Sequence, residues 1–150
     1  MQPATTEPTG LAFRLQRRFR APREKVFRAW TDPEVLKRWW CPEGWTPAEI
    51  EIDLRAGGVY RFGMRRQIGE DPVFVRGCFL HVRPPEMLAY TWKWENAFPH
   101  MPQTRVTVEF MEDGATTLIT LRHEDLPEIP VCLQHRSGWI AAWDRLERAL

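Results

Sequence analysis

Apolar residues recur at every second position through most of this chain and at every third to fourth position only at its end. Such a switch of period constrains the fold strongly, because strands place alternate side chains on one face and helices do not. Leu11, Phe13, Leu15, Arg17 and Phe19 share one face of a first strand, with Arg14, Gln16, Arg18 and Arg20 on the other. Val26, Phe27 and Trp30 then fall at helical spacing after Pro22, and Asp32-Pro33 restarts a second short helix that ends before Cys41-Pro42. Strands return around Ile50 to Leu54, Tyr60 to Met64, Val73 to Val82, Leu88 to Trp94, Val106 to Phe110 and Thr116 to Glu124. Gly57-Gly58, Pro84-Pro85 and Glu112-Asp113-Gly114 mark turns between them. From about Pro130 the period becomes helical, and His135, Trp139, Ala142, Trp143, Leu146 and Leu150 form one stripe. The expected architecture is α+β: a curved antiparallel sheet of about seven strands around a long C-terminal helix, with two short helices after the first strand.

Length and charge narrow the functional classes. A chain of 150 residues suits one domain, expected over residues 11–150, and residues 1–10 read as a disordered leader. Twenty-one basic against 20 acidic side chains leave a formal charge of +1, which removes the electrostatic argument for nucleic acid. No apolar run approaches the ~18 residues of a membrane span, and no basic n-region followed by an apolar stretch marks a secretory signal. Cys41, Cys78 and Cys132 are odd in number and widely spaced, so neither a disulfide framework nor a zinc site is expected, and a reducing, cytoplasmic compartment is. His81, His100, His123 and His135 lack metal-binding spacing, and neither metal nor cofactor is expected.

Four segments resemble one family in the same order. They are FRAPREKVFRAWTDPEVLKRWW, ending at Trp40; IDLRAGGVYRFGM from Ile52; RPPEMLAYTWKW from Arg83; and GWIAAWDRLERAL at the end. Together they resemble the activator of heat-shock-protein-90 ATPase homologue family, of the START-like (SRPBCC) superfamily, over about Leu11 to Leu150. The resemblance implies the helix-grip fold and a cavity for hydrophobic small molecules. Some superfamily members catalyse cyclisation or aromatisation in that cavity. The eukaryotic namesake stimulates a chaperone's ATPase and carries an additional N-terminal domain, which is not expected in this chain. A chaperone partner is therefore not expected.

Candidate site residues follow from the inward rows. Trp39, Tyr60, Phe62, Met64, Tyr90, Trp92, Trp94, Val106, Val108, Phe110, Trp139 and Trp143 can wall a cavity or fill the core. Arg17 sits on an inward row and needs an acceptor, either the anionic group of a ligand or a carboxylate of the protein. His135, one turn before Trp139, can hydrogen-bond a ligand, exchange protons, or bond to backbone. Gly138 leaves room beside Trp139, for a ligand or for the approach of the sheet. Trp39 and Trp40 can form a lid or cap the core, and the proline-bearing loop through Phe98 can border the entrance. The expected function is binding of a small hydrophobic or amphipathic molecule, lipids included, between sheet and helix. The alternatives are a cavity enzyme using acid–base chemistry and a protein-interaction module, with a homodimer as an open option.

Overall fold

The computed structural model describes residues 10–150, so the leader expected over 1–10 lies, apart from Gly10, outside the described residues. Strand β1 (Leu11–Phe19) leads into helices α1 (Arg23–Thr31) and α2 (Pro33–Trp39). Strands β2 (Thr46–Ile52), β3 (Val59–Arg65), β4 (Val73–Arg83), β5 (Met87–Trp94), β6 (Thr104–Asp113) and β7 (Thr116–Leu126) follow, and helix α3 (Ile129–Ala149) closes the chain. The strands form one sheet in the order β1-β7-β6-β5-β4-β3-β2, with every neighbouring pair antiparallel. Short connections explain the meander from β2 to β7. The first strand departs from it because α1 and α2 carry the chain from one sheet edge to the other.

Local chemistry fixes the joints. The Asp32 carboxylate accepts a hydrogen bond from the Glu34 N–H at 3.0 Å, and Pro33 occupies the first turn of α2. A register shift between Phe79 and His81 bulges β4 against β5 and helps to curve the sheet. At Gly77 the two strands come so close that a Cβ would fall 2.0 Å from the Thr91 carbonyl oxygen, so no other residue fits there without backbone movement.

The concave face holds the core and α3 lies in it. On α3, His135, Trp139, Ala142, Trp143 and Leu146 are buried, as the helical stripe predicts. The C-terminal half of the helix is held at three points. The Trp143 ring meets Phe19 of β1 edge-on at 5.7 Å. The Arg17 guanidinium donates to Asp144 at 2.9 Å, and Arg145 donates to the Trp45 carbonyl at 2.9 Å. No helix among the described residues is long and apolar enough to cross a membrane.

Candidate functional site

A cavity of about 180 Å³ opens between the first half of α3 and the sheet. Four elements build its wall. The segment after α2 supplies Trp40, Cys41, Pro42 and Trp45; β3 supplies Met64; β5 supplies Trp92 and Trp94; α3 supplies Gln134, His135, Gly138, Trp139 and Ala142. Phe98, from the loop after β5, completes it with a backbone φ of 46°, a left-handed conformation uncommon outside glycine. Pro42, Trp45, Phe98 and Gly138 are half-buried and Gln134 is exposed, which puts them at the mouth. A Cβ on Gly138 would meet only Pro42 Cβ, at 3.7 Å. The missing side chain therefore leaves open space at the mouth and does not mark a tight approach of helix and sheet.

Hydrogen bonds fix the protonation of the wall. Indole N–H groups can only donate and carbonyls can only accept. Trp94 Nε1 donates to His135 Nε2 at 3.0 Å, so His135 Nδ1 carries the hydrogen and donates to the Val131 carbonyl at 2.9 Å. By the same logic Trp139 Nε1 donates to His123 Nδ1 at 3.3 Å, and His123 Nε2 donates to Thr104 Oγ1 at 2.9 Å. Thr104 passes its own hydrogen to the Trp92 carbonyl at 3.3 Å. Both imidazoles are thus neutral in this network, and an added proton would displace an indole donor. Burial holds the His135 pKa below its ordinary range, with the Val131 bond opposing. Burial, reinforced by the charge His135 would carry, pushes that of His123 well below. The two rings lie edge-on with centroids 5.3 Å apart. Burial also raises the Cys41 thiol to about 12 against a smaller opposing effect of Arg145, so the thiol is neutral near pH 7.

One wall residue carries a buried donor with no partner among the described residues. Trp92 Nε1 is buried without a hydrogen bond, although its ring packs on Trp139 at 5.5 Å and on Trp94 at 5.6 Å. An unmade bond of this kind costs roughly 1–3 kcal/mol.

The residues singled out in the sequence divide in two. Met64, Trp92, Trp94, His135 and Trp139 come together on the cavity wall. Arg17, Trp39, Tyr60, Phe62, Tyr90, Val106, Val108 and Trp143 lie off it, as does Phe110. Arg17 finds protein carboxylates, Asp144 at 2.9 Å and Glu147 at 3.6 Å, because β1 is an edge strand and the polar flank of α3 runs beside it. Trp39 is fully buried and donates to the Ala29 carbonyl at 2.9 Å, which makes it core, while its neighbour Trp40 turns to the cavity. Tyr60 spends its hydroxyl hydrogen on the Thr91 carbonyl, and the Tyr90 hydroxyl accepts from Trp30 Nε1 at 3.4 Å. Phe62 packs against Trp40 with centroids 5.1 Å apart. Val106 and Val108 are wholly enclosed in the sheet's inner row, and Trp143 is buried under the other half of α3. Cys41, Pro42, Trp45 and Gln134 were not foreseen. The cluster Trp39-Trp40-Cys41-Pro42 with Trp45 carried the only signal, an unusual apolar density in a segment between elements.

A sheet wrapped on a terminal helix, with an apolar hollow between them, defines a helix-grip domain of the START-like kind. Residues 20–150 match the family described as Activator of Hsp90 ATPase homolog 1-like protein, and the chain belongs to that family. Solved structures agree. Protein CV1439 from Chromobacterium violaceum is 27% identical, with a TM-score of 0.82, over 91% of this chain and 94% of that one. Protein NE0264 from Nitrosomonas europaea is 26% identical, with a TM-score of 0.77, over 96% of both chains. The AHSA1 protein from Silicibacter pomeroyi is 25% identical, with a TM-score of 0.79, over 92% of this chain and 96% of that one. No curated protein matches the chain.

Proposed function

We propose that this protein binds a compact hydrophobic molecule between the first half of α3 and the sheet. The observation that carries the proposal is the cavity itself: about 180 Å³, walled almost wholly by aromatic and apolar side chains, with a mouth to solvent. A concave, mostly apolar surface that opens to solvent is the usual form of a small-molecule site. An apolar cavity of roughly 150 Å³ is enough to take up benzene. Sites for drug-sized ligands run from about 300 to 1,000 Å³. The dimensions therefore favour a ligand of one or two rings over a sterol or a long acyl chain, and narrow the lipid reading of the sequence. The engaged nitrogens of His135 favour binding over acid–base chemistry at that residue.

A thermal-shift titration with toluene, indole, oleate and cholesterol tests this. Ligand at about 100 times its Kd adds roughly 2.7 kcal/mol of stability, which is a shift of several degrees for a domain of this size. Toluene or indole is expected to raise Tm, and cholesterol is not. Failure of both ring-sized probes to raise Tm contradicts the proposal.

A further inference from the structure

We infer that the cavity takes small monocarboxylic acids, with the apolar end in the hollow and the carboxylate left at the mouth near Trp45, where Arg66 and Arg145 supply positive charge. The inference rests on the cavity-binding proposal and names the chemical class of its ligand. Three observations lead to it.

The first is where charge is missing. No Asp, Glu, Lys or Arg is among the residues that form the wall. The inner hollow therefore offers a charged group no partner, and any charge on a ligand has to stay at the rim, in contact with water.

The second is the sign of the charge at the rim. Two guanidiniums meet Trp45, a residue of the mouth. Arg66 lies over its ring at 5.7 Å, and Arg145 donates to its carbonyl at 2.9 Å. Neither pairs with a carboxylate among the described residues. Gln134, Gly138, Ala142 and Arg145 recur at spacings of four, four and three, so Arg145 continues the flank of α3 whose other three members line the cavity. Its charge is felt inside. Arg145 is the charged residue that acts on the Cys41 thiol, and no carboxylate opposes it there or at His135. Glu43, the acid of the segment after α2, is exposed and lies off the wall.

The third is the polar inventory of the wall. The Trp94 and Trp139 indole hydrogens are committed to His135 and His123, and the Trp92 hydrogen is enclosed. The wall groups left without a protein partner among the described residues are the Trp40 and Trp45 indoles and the Gln134 amide. Indoles donate and do not accept, so this inventory is weighted towards donors and suits a carboxylate better than an ammonium group.

Three probes share a ring and a two-carbon arm and differ at the end of it: 3-phenylpropionate is an anion, propylbenzene is neutral and 2-phenylethylamine is a cation near pH 7. Each is titrated by calorimetry. The acid is expected to bind at least about tenfold more tightly than the amine, since each exposed ion pair is worth up to about fivefold and acts on the two with opposite sign. Arg66 is exposed, so Arg66→Gln keeps the fold. In that variant the acid is expected to weaken about two- to fivefold and propylbenzene is not. Raising NaCl from about 0.05 to 0.5 M screens the same attraction and is expected to weaken the acid and spare propylbenzene. Arg145→Gln acts in the same direction, and propylbenzene corrects for the freed Trp45 carbonyl. If Arg145→Gln does not fold, Arg66→Gln and the salt titration decide. Equal affinity for acid and amine, or an equal response of acid and propylbenzene to Arg66→Gln and to salt, overturns the inference, while binding of propylbenzene leaves the cavity proposal standing. No binding of either propylbenzene or the acid to the unmodified protein sinks both.

Discussion

The two halves of helix α3 rest on different ground. Under the C-terminal half, Trp143 and Leu146 are buried, and Phe19, Trp30 and Phe110 close over the space they leave. Under the N-terminal half, Trp139 and His135 face a hollow of about 180 Å³. Both halves carry the same stripe of inward residues, so the difference is not one of amphipathicity. It comes from what approaches the helix. Helix α1 sends Trp30 between the two ends, 6.2 Å from Trp143 and 6.1 Å from Trp139, and closes the filled end with Phe27, whose ring meets Phe110 edge-on at 5.2 Å. The hollow end is faced by an irregular segment, Cys41 to Trp45, and by Gly138, which has no side chain to offer. Regular elements pack a core to completion, whereas a turn and a glycine leave a gap.

Truncation on the two sides separates them most sharply. Trp143→Ala removes a side chain enclosed on all sides and is expected to cost about 3–5 kcal/mol. Met64→Ala already borders empty space, so its loss should fall near the bottom of the range for such changes, about 2 kcal/mol. Urea unfolding measures both, and equal costs would erase the distinction between the halves.

The histidine pair, His135 on the wall and His123 behind Trp139, gives the next effect. A neutral buried imidazole keeps its native pKa below the unfolded value of about 6.5, so below that pH the unfolded state binds more protons. Stability is therefore complete above pH 6.5 and falls as the pH drops below it. His135→Gln should flatten this fall by up to about 1.4 kcal/mol per pH unit. An unchanged slope between pH 6.5 and 5 would mean that His135 is not held neutral by its surroundings.

Gly138→Ala works in the opposite direction. Its new methyl group meets only Pro42, at 3.7 Å, and removing a mid-helix glycine gains roughly 1 kcal/mol. The same methyl narrows the mouth, so toluene or indole should bind more weakly although the protein melts higher. If stability and affinity rise together, the mouth is not where Gly138 places it. Arg17→Met produces the smallest change. The guanidinium pairs with exposed carboxylates and is itself a quarter exposed, so its loss is expected to cost less than about 1 kcal/mol. Ligand affinity should not change, and a weakened affinity would return Arg17 to the site.

Much of the fold was legible because it follows from local patterns. Alternation assigned the rows of β1, β3, β5 and β6, and the Asp32-Pro33 pair located the start of α2. The stripe on α3 identified the buried residues of the helix. The site was legible only in part. Trp92, Trp94 and Met64 follow from strand parity and His135 and Trp139 from the helical stripe, but parity cannot say which inward residues border a void. Tyr60 and Trp92 occupy equivalent inward positions, yet of the two only Trp92 lines this hollow, because the Tyr60 ring is packed among Phe62, Phe79 and Tyr90. Arg17 was assigned to the inward face with two acceptors open, and the structure supplies the protein carboxylate. Its partner Asp144 lies 127 positions away, on a helix flank whose placement beside β1 is set by tertiary packing. The commitment of His135 was hidden for the same reason, since Trp94 is 41 positions away.

The central claim is that an apolar void lies beneath the first half of α3. Crystals pressurised with xenon test it most directly, because xenon enters dry apolar cavities and is seen as a single strong peak. The peak is predicted among Met64, Trp92 and Trp139. A site filled by a rotated side chain or by a chain of ordered water, with no xenon there, would contradict the account.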